Sequence, residues 1–255
     1  MATIEVKSLS KAFLQPKEEI KYLQVLDNIS FTVKDGEFIT LFGPNGCGKT
    51  TLLNIISGIE EPSLGEVLIN GRDPELTKAG FVFQNYNESM LPWRTAIGNI
   101  ELALEIQNIQ KEKRKYIAEG FLKKINLFEY KDKFFYELSG GMKQLIAICR
   151  ALAYDPEILL MDEPFSSLDY FITRKMELEL LNIWHEIPKT ILFVSHDIDE
   201  AVFLADRVIV LSKRPAKIKK IVDVDLPRPR ELKILSSKSF FKIRSGILRV
   251  LEYEQ

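Results

Sequence analysis

The residues with the clearest chemical meaning form a glycine-rich run near the N-terminus. Between Gly43 and Thr50 the sequence reads Gly-Pro-Asn-Gly-Cys-Gly-Lys-Thr, with an apolar run before it and a helical pattern after it. Glycines let backbone N–H groups curl around phosphate oxygens, and the first turn of a helix adds positive potential. Lys49 would neutralise the β- and γ-phosphates, and Thr50 Oγ would bind Mg²⁺. The run therefore predicts a loop that binds the phosphates of a nucleotide.

Two adjacent carboxylates end an apolar run at Ile158–Glu163. Buried strands seldom end in charges without a use for them, because desolvated carboxylates are costly. At the carboxyl end of a strand, Asp162 could reach the Mg²⁺ shell and Glu163 could accept a proton from an attacking water. An acidic turn before Pro164 is the alternative interpretation. Beside a phosphate loop, the pair instead predicts nucleotide hydrolysis.

A second glycine pair forms another candidate phosphate site. Ser139-Gly140-Gly141 precedes a predicted helix over Met142–Ala153, so its backbone N–H groups could meet an anion. One nucleotide does not need two such loops from one subunit. The pattern makes sense if each nucleotide lies between two copies of the chain. One copy would offer the Lys49 loop and the other the Ser139 loop, an arrangement that two-fold symmetry repeats.

The elements around these motifs are those of an α/β protein. Apolar or alternating runs predict strands at Ile29–Val33, Glu37–Phe42, Gly80–Phe83, Ile158–Met161, Ile191–Ser195 and Arg207–Leu211. Between Phe83 and Ile158 two charged segments, Thr95–Gln107 and Lys111–Ile125, have helical periodicity instead. This pattern predicts a helical insertion into a doubly wound core. The tail over Ser239–Leu251 predicts an amphipathic helix that packs on the body.

Composition narrows the class of protein. The chain has 255 residues, 46% of them hydrophobic and 28% charged, which is ordinary for a globular protein. A net charge of -1 gives no electrostatic reason to expect nucleic-acid binding. No apolar run approaches the ~20 residues that span a bilayer, and the first residues lack the pattern of a signal peptide. Cys47 and Cys149 have no metal-type spacing and suit a reducing cytoplasm.

Together the motifs resemble those of the ATPase subunit of an ABC transporter, over nearly the whole chain. The family's motifs correspond to the Walker A loop at Gly43–Thr50, the Q-loop glutamine at Gln84, the signature at Leu138–Gln144, the Walker B strand with its catalytic glutamate at Ile158–Glu163, the D-loop at Ser166–Asp169 and the switch histidine at His196. The adenine-stacking aromatic should be Phe13, with Tyr22 as the alternative. Six motifs in the family's order make coincidence an unattractive explanation.

The resemblance implies a role for each site residue. Glu163, His196, Lys49 and Gln84 are expected to be catalytic, and Thr50, Gln84 and Asp162 are expected to bind the metal. The residues expected to bind the nucleotide are Phe13, Gly43, Pro44, Asn45, Gly46, Cys47, Gly48, Lys49, Thr50, Thr51, Ser139, Gly140, Gly141 and Gln144.

The resemblance also implies an architecture and a set of partners. We expect a RecA-like P-loop NTPase core with a small N-terminal antiparallel β-subdomain and an inserted α-helical signature subdomain. The ATPase domain would cover 1–225, with the helical part at about 86–150, and a C-terminal extension with an amphipathic helix would cover 226–255. The implied cofactors are ATP and Mg²⁺. The implied partners are a second copy on ATP binding, an integral-membrane permease and, indirectly, a solute-binding protein, with no nucleic acid. The chain would act peripherally at the cytoplasmic face of the cell membrane.

Two segments favour an importer. Leu91–Ile100 resembles the importer form of the region after the Q-loop, and Leu226-Pro227-Arg228-Pro229-Arg230 is similar to the nitrate, sulfonate and taurine uptake group. We therefore expect import of a small anion such as one of these three. An exporter of lipid or drug type, which shares every catalytic motif, is the alternative.

Two side chains carry further expectations. In the family the region after the Q-loop, here Tyr86–Arg94, faces the permease, so Trp93 is either a docking residue or an anchor of the helical insertion in the core. Cys47 lies in the phosphate loop beside Lys49 and a helix N-terminus, both of which favour a thiolate. We therefore expect Cys47 to be a reactive thiol.

Overall fold

The structure is a computed structural model that describes residues 2–15, 21–85 and 89–252. The chain forms two compact units, which are Met1–Thr77 with Thr190–Gln255, called here the phosphate-loop unit, and Lys78–Lys189, called here the signature unit. Nowhere in the described ranges is a helix long and apolar enough to cross a membrane. The predicted boundary at residue 226, between the ATPase domain and a C-terminal extension, stays a prediction.

The phosphate-loop unit contains a three-stranded antiparallel sheet. Its strands are β1 (Ile4–Gln15), β2 (Lys21–Val33) and β4 (Leu64–Ile69), in the order β2-β1-β4. Ile4, Val6 and Leu9 of β1 are apolar and buried, so one face of this sheet is covered. The expected strand at Ile29–Val33 is the second half of β2. The N-terminal antiparallel part of the predicted fold is therefore present.

The same unit contains a mostly parallel sheet. The order is β7 (Thr190–Ser195), β3 (Phe38–Phe42), β8 (Arg207–Leu211) and β9 (Ile218–Asp223), with only β9 antiparallel to its neighbour. Every residue of β3 and β7 is buried, as expected of parallel strands covered on both faces.

The helices of this unit are α1 (Lys49–Ile56), α6 (Ile198–Leu204) and α7 (Lys238–Glu252), with short 3₁₀ turns at Pro74–Leu76 and Leu232–Ser236. The predicted tail helix is α7, and Phe240 and Ile247 of its predicted apolar stripe are buried. Because α7 packs on α6 and β9, the tail belongs to the body of this unit.

The signature unit places helices around a parallel strand pair. β5 (Ala79–Val82) and β6 (Ile158–Asp162) pair in parallel. The helices are α2 (Ala96–Ile106), α3 (Lys111–Lys124), α4 (Gly140–Ala153) and α5 (Tyr170–Glu186). Between β5 and β6 the described residues contain no strand, which confirms the predicted helical insertion. α4 begins two residues before the predicted start because Ser139 caps it, its Oγ accepting from the N–H of Met142 at 3.4 Å.

Candidate functional site

The phosphate loop connects β3 to α1. Gly46 and Gly48 have φ of +70° and +122°, conformations that L-residues with a Cβ rarely adopt. A Cβ at Gly48 would lie 2.8 Å from Val25 Cγ1 and 2.9 Å from Leu26 Cδ2 of β2. Gly43 is restricted less severely, since its Cβ would lie 3.0 Å from the carbonyl oxygen of Leu211. The loop's tight path therefore depends on glycine at these positions.

Lys49 turns its ammonium group back onto this loop. Its Nζ donates to the carbonyl oxygens of Gly43 at 3.0 Å and Pro44 at 3.2 Å, and only 4% of the residue is exposed. Gly48 has no side chain to cap the first turn of α1, so the first N–H groups of this helix receive no side-chain acceptor from that position. An oxyanion binds where helix N–H groups and a cation lie together, and the phosphate loop provides both.

His196 lies at the same edge of the sheet as the phosphate loop. Phe42 of β3 is aligned with Ser195 of β7, so Gly43 and His196 follow the carboxyl ends of neighbouring parallel strands. The backbone around His196 is held because Ser195 Oγ accepts from the N–H of Asp197 at 2.9 Å. His196 itself is exposed. Ligands of open α/β sheets bind at such an edge.

In the signature unit the carboxyl ends of β5 and β6 hold Gln84 and the two carboxylates. Val82 of β5 is aligned with Met161 of β6, so Gln84 lies just beyond the end of β5, while Asp162 ends β6 and Glu163 follows it. A cavity of about 400 Å³ is lined by Phe83, Gln84, Asn85, Ser89 and Asp162. The side chain of Asp162 is buried, whereas Gln84 is exposed.

Glu163 has an unusual backbone conformation. Its φ is +41°, in the left-handed region that a residue with a long side chain rarely occupies. Its carbonyl oxygen accepts from the N–H of Ser166 at 3.2 Å and from the Ser166 hydroxyl at 3.0 Å. Asp169, at the end of the predicted D-loop, caps α5 by accepting from the N–H groups of Phe171 and Ile172, both at 3.1 Å. Backbone strain such as that at Glu163 concentrates at functional sites.

The signature residues line a different cavity. Ser139 and Gly141 contribute to a space of about 460 Å³ together with Met142, Ile172 and Met176, and neither lines the cavity at Gln84 and Asp162. Ser139 is exposed. A Cβ at Gly141 would lie 3.0 Å from Ile172 Cγ2, so glycine here allows α5 to approach α4 closely. Within this unit the signature is separate from the predicted catalytic residues, as expected if it serves a second copy.

Gln144 was predicted to bind nucleotide, and the structure places it inside the signature unit. It has no exposed surface, and among the described residues neither of its amide atoms has a hydrogen-bond partner. A buried amide without partners is costly. Gln144 would therefore have to be uncovered before it could touch a ligand.

Phe13 and Tyr22 lie close together on the antiparallel sheet. Phe13 of β1 is aligned with Leu23 of β2, and Leu14 with Tyr22. Phe13 is half-buried with Lys11 Nζ 4.8 Å from its ring centroid, whereas Tyr22 is 70% exposed. Both aromatics therefore remain candidates for adenine stacking.

The expectation that Cys47 is a reactive thiolate is wrong. Only 2% of the residue is exposed, and this burial raises the pKa of the Cys47 thiol, an effect that the nearby positive charge of Lys49 only partly offsets. The sequence showed the charge beside Cys47 but not the packing over it. Burial also raises the pKa of Cys149, which lies inside α4.

The structure adds a contact that the sequence did not predict. Arg214, in the turn between β8 and β9, donates from Nε at 3.1 Å and Nη2 at 2.5 Å to the carbonyl oxygen of Gly46. The two residues are 168 positions apart, so no local pattern links them. A guanidinium group therefore holds the outer side of the phosphate loop.

Comparison with known proteins finds similar ATP-binding proteins. Residues 26–166 match the family model described as ABC transporter. An uncharacterized ABC transporter ATP-binding protein of Methanocaldococcus jannaschii is 46% identical, over 98% of this chain and 92% of its own length. An aliphatic sulfonates import ATP-binding protein of Bacillus cereus is 39% identical (98% and 96%), and a bicarbonate transport ATP-binding protein of Synechococcus elongatus is 41% identical (96% and 89%). A solved dimeric ATP-binding cassette with bound ADP and phosphate aligns with TM-score 0.74 at 31% identity, over 88% of this chain and 100% of that one.

The chain therefore belongs to the ABC transporter family. Within the family it is an ATP-binding subunit that resembles the importer type, and its reaction is the hydrolysis of ATP coupled to transport. The resemblance drawn from the motifs and the predicted P-loop NTPase fold are both confirmed.

Proposed function

We propose that this chain energises the import of a small anion, working as a homodimer on a membrane permease at the cytoplasmic face of the membrane. One observation carries the anion proposal. Two relatives that match nearly the whole chain are named for aliphatic sulfonates and for bicarbonate, both of which are small anions. The first of these names, which says import, favours import over the lipid or drug exporter alternative. A solute-binding protein would deliver the anion to the permease.

The nucleotide would be held by two copies of the chain. One copy supplies the backbone and Lys49 of the phosphate loop, with Phe13 or Tyr22 against the adenine. The other supplies the N-terminus of α4 with Ser139 and Gly141, which lie apart from the catalytic residues of their own unit. A structural relative that is dimeric with bound ADP and phosphate supports this arrangement. Binding ATP at both shared sites would then close the dimer.

Hydrolysis would use residues at the carboxyl ends of the parallel strands. Glu163 takes a proton from water while the water oxygen attacks the γ-phosphorus, and ADP leaves as the bond to its β-phosphate oxygen breaks. Lys49 and His196 stabilise the negative charge that spreads over the transferring group. Gln84, on the exposed rim of the cavity beside Asp162, orients the water. Loss of the γ-phosphate removes a contact that both copies share, so the dimer reopens.

The chain offers a donor set suited to Mg²⁺. Thr50 hydroxyl, Gln84 amide and Asp162 carboxylate oxygens are hard ligands, and Mg²⁺ characteristically uses one or two carboxylates together with substrate phosphates. Among the described residues no cluster of three or more His, Cys, Asp or Glu side chains could hold a metal ion. When bound, Mg²⁺ neutralises charge on the β- and γ-phosphates.

Trp93 supplies the test of the permease partnership. The residue is 70% exposed, so it is not a core anchor. In sequence it follows Ser89, which lines the cavity together with Gln84. Tyr86, Asn87 and Glu88 of the predicted docking segment lie outside the described residues. An exposed tryptophan in the segment after the Q-loop glutamine is a suitable anchor for a permease helix.

We expect Trp93→Ala to weaken the binding free energy for the membrane subunit by ~2 kcal/mol or more, as for an interface hot spot. The loss would be seen as reduced co-purification of that subunit. Basal ATPase and thermal stability should stay nearly unchanged, because an exposed side chain contributes little to folding. Tyr116→Ala, which removes an aromatic side chain that is 80% exposed on α3, is the matched control and should leave binding intact. Normal binding of the permease by the Trp93 variant would contradict the docking role. The identity of the membrane subunit that co-purifies with the wild-type chain would indicate the substrate class.

A further inference from the structure

Arginines of the C-terminal segment bind the end of α6, the short helix that follows His196. We call residues 226–252 the C-terminal clasp. Arg230 Nη1 donates to the carbonyl oxygens of Val202 at 3.1 Å and Phe203 at 2.6 Å. Arg228 Nη2 donates to the carbonyl oxygen of Leu204 at 2.8 Å. The last carbonyls of a helix lack partners within the helix, so the two guanidinium groups satisfy them and complement the helix dipole.

The clasp also holds the chain on either side of that end. Arg228 binds Asp206 Oδ1 through Nε at 2.9 Å and Nη2 at 2.7 Å, and Asp206 Oδ2 accepts from the N–H of Phe38 at the start of β3. In the first turn of α6, Asp199 Oδ1 accepts from Arg244 Nε at 2.5 Å. Both ends of α6 are therefore tied to the clasp.

Burial makes Arg230 a costly way to hold a helix. Only 5% of the residue is exposed, and this burial lowers the pKa of Arg230 to about 9, so the group is still charged at neutral pH. A buried charge is tolerated only when it is well hydrogen-bonded. Apolar side chains such as Phe240 and Ile247 already attach α7 to the body. Attachment of the C-terminal segment therefore does not depend on the arginines alone, and their contacts also fix the position of α6.

The position of α6 determines that of His196. Asp197 caps the helix, its Oδ1 accepting from the N–H groups of Asp199 at 2.7 Å and Glu200 at 3.2 Å. Ser195 Oγ hydrogen-bonds the buried carboxylate of Glu200 as well as the N–H of Asp197. His196 thus sits between a strand and a helix that are bonded to each other across it.

We propose that the C-terminal clasp positions His196 for hydrolysis by fixing α6, which makes Arg228, Arg230 and Arg244 positioning residues. The inference rests on the proposed role of His196 at the γ-phosphate. A small displacement of a catalytic group is enough to slow a reaction severely. The clasp would therefore act on the chemical step and leave nucleotide binding alone.

Arg244→Ala tests the inference with little risk to the fold, because Arg244 and Asp199 form a partly exposed ion pair. In the full-length chain we expect kcat to fall about tenfold, while KM for ATP and the affinity for a fluorescent ATP analogue stay within about twofold. Arg244→Lys should recover much of the loss, since it restores the ion pair. Arg249→Ala, on the exposed face of α7, is the matched control and should behave as wild type.

Combining the variant with His196→Ala separates positioning from general destabilisation. If the clasp acts through His196, Arg244→Ala should cause no further loss of kcat in the His196→Ala background. Independent, multiplicative losses, a change in KM alone, or wild-type kinetics of Arg244→Ala would each overturn the inference while leaving the proposed function standing. Full turnover by His196→Ala alone would instead remove that histidine from the proposed mechanism, and the inference with it.

Discussion

Replacing Glu163 by Gln should slow ATP turnover roughly 10²–10⁴-fold and leave ATP binding intact. The amide keeps the size of the side chain but cannot accept the proton of the attacking water. The strained backbone at Glu163, with φ of +41°, and the two hydrogen bonds from Ser166 to its carbonyl oxygen do not involve the carboxylate, so the local structure should survive. With hydrolysis blocked, the variant should accumulate as an ATP-dependent dimer on size-exclusion chromatography.

The control for this variant is Glu186→Gln, which removes an exposed carboxylate that pairs with Lys124 on the same unit. Its turnover should match the wild-type rate. Near-wild-type turnover by Glu163→Gln would remove Glu163 from the role of general base. Loss of ATP binding by that variant would instead indicate a structural role for the carboxylate.

Gly48→Ala should lower the affinity for ATP on the order of 10²-fold. The φ of +122° costs an alanine about 1–3 kcal/mol, which the free loop can release by leaving the conformation that binds phosphate. Binding ATP would then have to restore that conformation, and each 1.4 kcal/mol corresponds to about tenfold in affinity. The new Cβ would also lie 2.8 Å from Val25 Cγ1, so the loop or β2 has to shift. A shifted loop misplaces Lys49 and the first N–H groups of α1. Equilibrium titration with a fluorescent ATP analogue measures the loss.

Gly71→Ala separates backbone strain from damage to the phosphate loop. Gly71 has a φ of +71° in the same unit, but a Cβ there would meet no atom within 4 Å. This variant should lose some thermal stability and keep its ATP affinity. Equal affinity losses in the two variants would show that the Gly48 contact with β2 does not shape the nucleotide site.

The local motifs could be predicted because each carries its own structural signal. The glycine-rich run between an apolar strand and a helix fixed β3, the phosphate loop and α1 within a residue or so. Ser139 before two glycines predicted the start of α4 to within two residues. In each case the signal lies within a dozen residues, and the chemistry of the loop explains its sequence.

Features that depend on distant packing could not be predicted in this way. The environment of Cys47 was predicted from its neighbours in sequence, but burial outweighs the charge of Lys49. The bond from Arg214 to Gly46 spans 168 positions. In the sequence, Arg228 and Arg230 stand out only through the similarity of Leu226–Arg230 to the uptake group. Their carbonyl partners on α6 follow only from the fold. Trp93 had two interpretations until its exposure removed one of them.

If each ATP lies between two copies of the chain, two variants that are defective in different loops should restore each other's activity when they are mixed. Lys49→Ala disables the phosphate loop. Ser139→Asp places a negative charge against the phosphate but keeps a residue that caps α4 well. Each variant alone should be inactive, because both of its shared sites carry a defect.

In an equal mixture, half of the dimers combine the two variants, and each mixed dimer has one site with an intact Lys49 and an intact Ser139. The shared-site account predicts that ATPase activity returns on mixing, to about a quarter of the wild-type rate if the sites act independently. A mixture that stays as inactive as its components, although the two variants form dimers with each other, would contradict it.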